Sequence, residues 1–204
     1  MSSVFLLAGW LLACGTPVAA PGVATMPMID GTEDPLALPI ADLPAFTLRT
    51  QGDQPFGREQ FLGKVTVVNF IFTTCPDICP MLSAEMQGIT GHYTNEPGVQ
   101  FVSISVDPAT DTPAVLAAYG ARFGADPARW RFLTGDFAAV RGVVVGGFKT
   151  VLEHLPNTNV KPASVLHGER FVLVDKQARI RLYPDPKEPG KKALHDGVAR
   201  LLKE

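Results

Sequence analysis

The sequence predicts an α/β fold in which helices flank a mixed β-sheet. Two nearly continuous runs of β-branched and aromatic residues, "KVTVVNFIFT" (64–73) and "VQFVSISVD" (99–107), are typical of strands buried on both faces. A helical pattern follows each run, and parallel strands joined by right-handed crossover helices form the centre of such a sheet. Near the end of the chain, "ERFVLVDKQARIRLY" (169–183) predicts an antiparallel hairpin whose turn lies at Asp175–Ala178.

The segment before the first buried strand predicts a second hairpin, added at the N-terminal side of the sheet. In "AFTLRTQGDQPF" (45–56), Gly52 and Asp53 form a turn between two strand-like runs. The following "GREQFLGK" (57–64) has room for one or two helical turns. Further along, "RWRFLTGD" (129–136) predicts a third, shorter strand for the centre of the sheet.

The first long helix is predicted to begin at about Pro80, because apolar residues recur at helical spacing from Met81 to Ile89. Proline is tolerated at the first position of a helix but not in its interior. We therefore expect Pro80 to hold Cys79 outside the regular helix, in the loop that precedes it. The methionines of this stretch, Met81 and Met86, fit the core better than a copper site.

Further helices are predicted from capping residues and apolar spacing. Pro113 opens one of them, with Asp111 or Thr112 as its capping residue. Another begins at Asp136, although its valines and glycines are weak helix formers. The segment "ALHDGVARLLKE" (193–204) forms the last helix.

Two of the chain's three cysteines, Cys75 and Cys79, lie four residues apart at the carboxyl end of the first buried strand. Sites of open α/β sheets lie at this edge, and a cysteine pair there makes the predicted fold thioredoxin-like. Both sulfurs are expected to face the same way, exposed near a helix N-terminus that favours the thiolate. The pair can be a structural disulfide, a redox-active dithiol or two soft metal ligands. Asp77 between them either favours a bound cation or caps the loop.

The N-terminus predicts export. The apolar run in "MSSVFLLAGWLLACG" (1–15) is too short to cross a bilayer but suits a signal peptide. Its "LLAC" ending resembles the cleavage site of a bacterial lipoprotein, with Cys14 as the lipidated residue. We therefore expect a signal segment at 1–14, a proline-rich tether at 15–40 and the folded domain at 41–204. If Cys14 carries lipid, one cysteine pair remains, which is too few for a disulfide scaffold.

A third metal ligand would have to come from one of the four histidines. His92 falls late in the first long helix and His195 lies beside Asp196 in the last one, so both are predicted to be surface residues. His154 lies in a stretch that is predicted to be a loop. His167 immediately precedes the first strand of the final hairpin, which borders the first buried strand in a thioredoxin-like sheet. Both a structural role and a ligand role remain open for His167.

Three motifs, in this order along the chain, resemble the Sco/SenC family of copper-handling factors for cytochrome c oxidase assembly. The motifs are "NFIFTTCPDICPMLSAEM" (69–86), "VSISVDPATDTPAVLAAYGARFG" (102–124) and "LHGERFVLVDKQARI" (166–180). The resemblance runs from about Ala45 to the C-terminus and so covers nearly the whole predicted domain.

The resemblance implies a thioredoxin-like domain that binds a copper ion through Cys75, Cys79 and His167. It also places Asp107 at an acidic position near the site, although Asp107 can equally cap the turn at Pro108. The family works on the outer face of an energy-transducing membrane. Together with the lipoprotein-like start, this implies the extracytoplasmic, periplasmic side of a bacterial cell envelope and a lipid anchor.

The function that these features predict is that of a metallochaperone delivering copper to the CuA-bearing subunit of cytochrome c oxidase. The alternative is an extracytoplasmic thiol-disulfide reductase that keeps the CuA cysteines, or other membrane-side thiols, reduced. In that case Cys75 and Cys79 are the redox pair and form a disulfide when oxidised. Other periplasmic copper chaperones or thiol-disulfide reductants are further expected partners.

Several other functions are disfavoured by the sequence. A formal net charge of −2 at pH 7, without a long run of one sign, gives no reason to expect nucleic-acid binding. A peroxidase of the peroxiredoxin type would carry a lone reactive cysteine rather than a CPxxCP pair. No proline directly precedes "RFVLVD", where thioredoxins have a cis-proline that contacts substrate disulfides, and this favours metal handling over general disulfide exchange.

Overall fold

The computed structural model describes residues 34, 36–154, 165–167 and 169–204, and for residues 153, 154 and 165–167 it describes the backbone alone. The strands of these residues are β1 Ala41–Asp42, β2 Thr47–Thr50, β3 Pro55–Gly57, β4 Val65–Ile71, β5 Val99–Ser105, β6 Trp130–Thr134, β7 Leu152–His154, β8 Val165–His167, β9 Val172–Val174 and β10 Arg179–Leu182.

The α-helices of the same residues are α1 Ile78–His92, α2 Pro113–Arg122, α3 Phe137–Arg141 and α4 Gly190–Leu201. A 3₁₀ turn at Arg58–Phe61 precedes β4, and a π-helical segment at Gly142–Gly147 follows α3. Within the described ranges, no helix has both the length and the apolar character needed to cross a bilayer.

Strands β4 and β5 form the centre of the sheet. They pair in parallel over seven residues, from Val65 opposite Val99 to Ile71 opposite Ser105. Every residue of both strands is buried, as the apolar runs predicted. Two polar side chains within this pair bond to each other: Ser103 Oγ donates to Asn69 Oδ1 at 2.6 Å.

Antiparallel hairpins flank this centre and complete the strand order β1-β10-β9-β4-β5-β6-β2-β3. On one side β2 pairs with β3, with Leu48 opposite Phe56, and β2 also pairs with β6. On the other side β9 pairs antiparallel with both β4 and β10, and β1 lies at the edge. Their turns contain Asp53 and Ala178, each with a positive φ of about 60°. The mixed sheet and both predicted hairpins are confirmed.

Three helices cover one face of the sheet. Tyr119 of α2 packs its ring against Phe132 of β6, and Gly197 of α4 lies against the side chain of Leu173 in β9. Helix α1 lies in the same layer, where the hydroxyl of its Ser83 is 2.8 Å from the hydroxyl of Tyr119 in α2.

The opposite face of the sheet carries a cluster of aromatic rings. Phe70 of β4 packs edge-to-face on Phe148, which follows the π-helical segment. Phe61 continues the cluster and touches Phe46, Phe56 and Phe148. Such ring pairs add stability beyond the burial of their surface, and the cluster seals this face without a long helix.

Helix α1 begins earlier than the sequence predicted. It starts at Ile78, so Cys79 lies in the first helical turn and Pro80 is the third helical residue. The N–H groups of a first turn have no partner within the helix, so a proline there removes no hydrogen bond. The expectation that Pro80 keeps Cys79 out of the helix is therefore wrong.

The helix predicted to begin at Asp136 is an α-helix only as far as Arg141 and continues as a π-helix. The backbone N–H of Phe148 donates to the carbonyl of Val143 at 2.8 Å, which is the wider spacing of a π-helix. Phe148 is completely buried. The wider turn thus places this ring in the aromatic cluster, and its packing outweighs the weak helix propensity of the valines and glycines.

Two other segments differ from expectation. The stretch at 152–154, predicted as a loop, forms β7 and pairs antiparallel with β8 in a ribbon separate from the main sheet. Leu36, expected in the tether, is buried, and Arg181 donates a hydrogen bond to its carbonyl oxygen. Residues 1–33, which contain the predicted signal segment, Cys14 and most of the tether, lie outside the described residues.

Candidate metal centre

Cys75 and Cys79 lie where β4 passes into α1. The backbone N–H of Cys75 donates to the carbonyl of Phe72 at 3.2 Å, which closes the turn after the strand. The backbone N–H of Cys79 then donates to Cys75 Sγ at 3.4 Å. Both residues are thiols rather than a disulfide. This hydrogen bond brings the sulfur of Cys75 against the first turn of α1.

The two thiols are less accessible than the sequence suggested. Cys75 is 9% exposed and Cys79 is 0% exposed. Cys79 belongs to the buried stripe of α1 that continues through Leu82, Met86 and Ile89. Because α1 starts before Cys79, the side chain turns towards the sheet, and the expectation of two exposed sulfurs is wrong.

The surroundings of Cys79 also oppose ionisation. Burial raises the pKa of the Cys79 thiol, and the charges of Cys75 and Asp111 raise it further. The expected thiolate-favouring helix N-terminus therefore does not dominate at this residue. Cys79 remains a neutral thiol near neutral pH until a metal or a reaction partner displaces its proton.

Asp111 is a buried acid beside the cysteines that the sequence identified only as a candidate helix cap. Its carboxylate accepts hydrogen bonds from the backbone N–H of Thr73 at 3.1 Å and from Ser105 Oγ at 2.6 Å. The hydroxyl of Thr73 donates to it as well. The capping role belongs to Thr112, whose hydroxyl accepts from the N–H of Val115 at 3.4 Å.

Asp111 thus joins the ends of β4 and β5, close enough to Cys79 for its charge to act on that thiol. Burial raises the pKa of Asp111, while the hydrogen bonds from Ser105 and Thr73 act in the opposite direction. Polar residues at the ends of two neighbouring buried runs, Thr73 shortly after β4 and Ser105 as the last residue of β5, were the sequence signal that could have revealed this cluster.

The other two acids that the sequence singled out lie at the edge of the site. Asp77 is exposed at the N-cap position of α1, where its side chain makes no capping hydrogen bond. Asp107 is half-buried, and its carbonyl oxygen accepts from the N–H groups of Thr110 and Asp111 at 3.2 and 2.9 Å. The backbone of Asp107 therefore closes the turn at Pro108, while a contribution of either carboxylate to metal binding stays a prediction.

The predicted third ligand lies on the small ribbon. His167 ends β8 and is paired with Leu152 of β7, and its side chain is outside what the structure describes. Five residues later the chain enters β9, whose Val172 pairs with Val68 of β4. Among the described residues, no three His, Cys, Asp or Glu side chains are grouped so that they could hold a metal ion. The ligand role of His167 remains a prediction.

The other histidines lie elsewhere. His154 ends β7, opposite Val165. His92 is exposed at the last position of α1, as predicted. His195 of α4 is more enclosed than the predicted surface residue, because its Nδ1 is 2.8 Å from the hydroxyl of Tyr93.

Comparison with known protein families gives a match over almost the whole described domain. The SCO1/SenC family model matches residues 40–203. A SCO1 protein homolog of Bacillus subtilis is 28% identical over 137 residues, which are 66% of this chain and 69% of that protein. A protein of Stutzerimonas stutzeri named as a putative copper-binding protein is 42% identical over 79 residues, which are 38% of this chain and 39% of that protein.

Solved structures give the same picture of the fold. A SCO1/SenC family lipoprotein from Bacillus anthracis superposes with a TM-score of 0.72 and 30% identity, over 82% of this chain and 99% of that one. ScoI of Bradyrhizobium japonicum, solved with copper bound, superposes with a TM-score of 0.64 and 27% identity, over 79% of this chain and 99% of that one. The predicted thioredoxin-like sheet is confirmed by these similarities.

The buried position of Asp111 predicts that its removal destabilises the protein. In Asp111→Ala, the N–H of Thr73 and the hydroxyl of Ser105 lose their buried acceptor, which we expect to lower the free energy of unfolding by about 2–4 kcal/mol. Asp111→Asn keeps one acceptor oxygen and should cost less. Urea denaturation of the two variants measures the difference.

The pH dependence of the free energy of unfolding gives a second check on the role of Asp111. Since burial raises the pKa of Asp111, its contribution to stability is complete below the unfolded pKa of about 3.9 and declines as the pH rises. The stability gap between wild type and Asp111→Asn should therefore narrow from pH 4 to pH 7.

Asp136→Ala is the matched control for Asp111→Ala, because Asp136 is exposed and its side chain makes no capping bond. Equal losses in Asp111→Ala and this control would contradict the role given to Asp111.

Proposed function

Because the chain belongs to the SCO1/SenC family, we propose that it is a metallochaperone that binds copper and delivers it to the CuA site of cytochrome c oxidase. Sco proteins are copper-binding factors of cytochrome c oxidase assembly. The observation that carries the proposal is the pair of thiols on one turn, linked by the 3.4 Å hydrogen bond from the N–H of Cys79 to Cys75 Sγ.

Cys75, Cys79 and His167 are the ligands in this proposal. Thiolate sulfur selects copper(I), and an added imidazole nitrogen makes copper(II) accessible too. The thiols fit this cargo because one turn of backbone already holds them together. The strand order supports His167 as the third ligand, since the ribbon strand that it ends leads into β9, the neighbour of β4.

The unequal burial of the cysteines suggests how copper is exchanged. Cys79 is wholly enclosed, whereas Cys75 retains a small exposed fraction. A ligand of the recipient therefore approaches from the side of Cys75, and Cys79 holds the ion until the transfer is complete. Copper binding displaces the thiol proton of Cys79, so loading weakens as the pH falls.

Asp77 and Asp107 are not copper ligands in this proposal, and they influence the site through their charges. Asp77 is exposed directly between the cysteines, so its negative charge attracts an approaching cation. Asp107 is half-buried after β5, and its charge contributes to the raised pKa of Asp111.

The place of action in this proposal is the extracytoplasmic, periplasmic side of a bacterial envelope. The apolar N-terminal run and the "LLAC" sequence support a signal segment, followed by Cys14 as a lipid anchor. The Bacillus anthracis relative is itself called a lipoprotein. The CuA-bearing subunit of the oxidase is then the recipient, and other periplasmic copper chaperones or thiol-disulfide reductants are further partners.

Thiol-disulfide reduction is the second candidate function, and it is supported by the same hydrogen bond. The N–H of Cys79 donates to Cys75 Sγ, which holds the more accessible of the two sulfurs at the start of α1. The Cys75 thiolate attacks a disulfide of the recipient and forms a mixed disulfide. Cys79 then attacks Cys75, which releases the recipient as a dithiol and leaves a Cys75–Cys79 disulfide. The recipient gains two electrons, and the protein loses two.

Loss of the His167 imidazole should weaken copper binding. We expect reduced wild-type protein to bind one copper(I) ion, and His167→Ala to bind it at least about tenfold more weakly, because a direct ligand is lost. Titration against a chromophoric copper(I) chelator measures both affinities. His154→Ala is the matched control, since His154 lies on the paired strand of the same ribbon. Equal affinity of His167→Ala and wild type would exclude His167 as a ligand.

Replacement of Cys79 should separate the two steps of disulfide exchange. With a peptide that carries the two CuA cysteines as a disulfide, wild type should release the dithiol peptide. Cys79→Ser should stop at the mixed disulfide on Cys75, because no second thiol can resolve it. Mass spectrometry of the non-reduced products distinguishes these outcomes. Unchanged peptide release by Cys79→Ser would rule out this mechanism.

The anchor makes a prediction about the mature protein. After expression in a bacterial host with lipoprotein processing, mass spectrometry should find Cys14 as the acylated N-terminal residue. Cys14→Ser should leave the protein unacylated and move it from the membrane fraction to the soluble fraction. A mature chain that starts elsewhere without lipid would refute the anchor.

A further inference from the structure

A second pair of potential metal ligands lies at the opposite end of α1. His92 is the last residue of α1 and is exposed, while His195 lies in α4. Their ring centroids are 4.7 Å apart, with an angle of 62° between the ring planes. A partly exposed salt bridge of Lys191 in α4 with Glu85 in α1, at 2.5 Å, also joins the two helices.

The separation of the two rings fits a shared metal ion. A metal–nitrogen bond of about 2.1 Å, plus about 1.1 Å from the nitrogen to the ring centroid, puts each centroid about 3.2 Å from the ion. Two such arms at angles of about 90–109° separate the centroids by about 4.5–5.2 Å. The observed separation falls within this interval.

We propose that His92 and His195 form a second metal site, which binds a divalent transition-metal ion between α1 and α4, with water completing the coordination. Imidazole nitrogen suits Zn²⁺, Ni²⁺ and Cu²⁺, and Cu²⁺ binds such ligands most tightly of these. The site has no ligand in common with Cys75 and Cys79, so it does not depend on the function proposed above.

Tyr93 fixes one of the rings. Its hydroxyl is 2.8 Å from Nδ1 of His195, which leaves Nε2 of that ring as the nitrogen for a metal. Burial raises the pKa of Tyr93 to about 12, so the phenol stays protonated and orients the imidazole rather than binding the ion. A hydrogen bond to the second ring nitrogen is the usual way in which proteins orient a ligating histidine.

The electrostatic surroundings also suit a bound cation. His92 lies at the carboxyl end of α1, where the helix dipole presents partial negative charge. The charges of Glu188 and Asp196 act on His195 as anions and that of Lys191 acts as a cation. Lys191 is paired with Glu85, and Asp196 is paired with Lys192. Burial, followed by the charge of His92, lowers the pKa of His195, which favours the neutral ring that metals bind.

The two sites are well separated. At about 1.5 Å per helical residue, the thirteen residues from Cys79 to His92 span about 20 Å. An ion at the histidine pair therefore cannot be one that is shared with the cysteines, and each site can be removed by substitution without touching the other.

The test uses Cu²⁺ and the full chain carrying Cys75→Ser, Cys79→Ser and His167→Ala, which removes the first site. We expect calorimetric titration to show one Cu²⁺ ion bound per chain, and electron paramagnetic resonance to show nitrogen ligands. Adding His92→Gln or His195→Gln should weaken binding at least about tenfold, because one of two imidazoles is lost. Bound Cu²⁺ should also raise the melting temperature, since it links two helices of the folded state.

His154→Gln in the same background is the matched control and should leave Cu²⁺ affinity unchanged. If the substituted cysteines impair folding, wild-type protein oxidised to the Cys75–Cys79 disulfide and its His92→Gln variant provide the same comparison. No Cu²⁺ binding in either preparation would overturn the proposal. Equal affinity with and without His92 and His195 would overturn it as well.

Discussion

One buried carboxylate holds together the part of the molecule on which the candidate metal centre depends. Asp111 accepts hydrogen bonds from Thr73, which follows β4, and from Ser105, which ends β5. Its neighbour Thr112 caps α2. The end of each central strand and the start of a helix are therefore fixed by adjacent residues. Because the cysteine turn begins two residues after Thr73, its position follows from where this carboxylate holds the strand end.

The same carboxylate has an electrostatic effect on the thiols. A negative charge in a buried place opposes a second one, and Asp111 contributes to the raised pKa of Cys79. A bound cation reverses that balance, because it accepts both thiolates and compensates the nearby acid. These surroundings thus favour thiols that stay neutral until a metal binds over a pair of permanently ionised nucleophiles. Reduction of a disulfide remains compatible with it through the more accessible Cys75.

Periodic and locally determined features could be predicted from the sequence. The buried runs of β4 and β5 and both hairpins depend on neighbouring residues, and all of them were found. The cap of α2 was predicted to be Asp111 or Thr112, and Thr112 makes the capping bond. The burial of Cys79 was missed because Pro80 was interpreted as a helix boundary, although Cys79 continues the apolar spacing of Leu82 and Met86. The aromatic packing of Phe148, which imposes the π-helical turn, depends on strands far away in the chain.

The candidate sites show the same division between local and distant information. Spacing identified the cysteine pair, since both residues lie on one turn. The polar residues Thr73 and Ser105 were visible at the strand ends, but their meeting at Asp111 follows only from the pairing of β4 with β5. The approach of His92 and His195 joins residues about one hundred positions apart, so it becomes visible only when α1 and α4 are packed. The backbone of His167 is placed by β8, whereas its ligand role rests on family resemblance.

The placement of β8 outside the main sheet has a consequence for how such a protein can evolve. The backbone hydrogen bonds of the β7–β8 ribbon are distinct from those of the eight-stranded sheet. If His167 is a copper ligand as proposed, substitutions in the ribbon can therefore alter its surroundings while the ladder that stabilises the domain stays intact. The cysteine turn lacks this freedom, because Cys79 is part of the core. Selection for new partners is thus expected to act on the ribbon, and selection for folding on the cysteine helix.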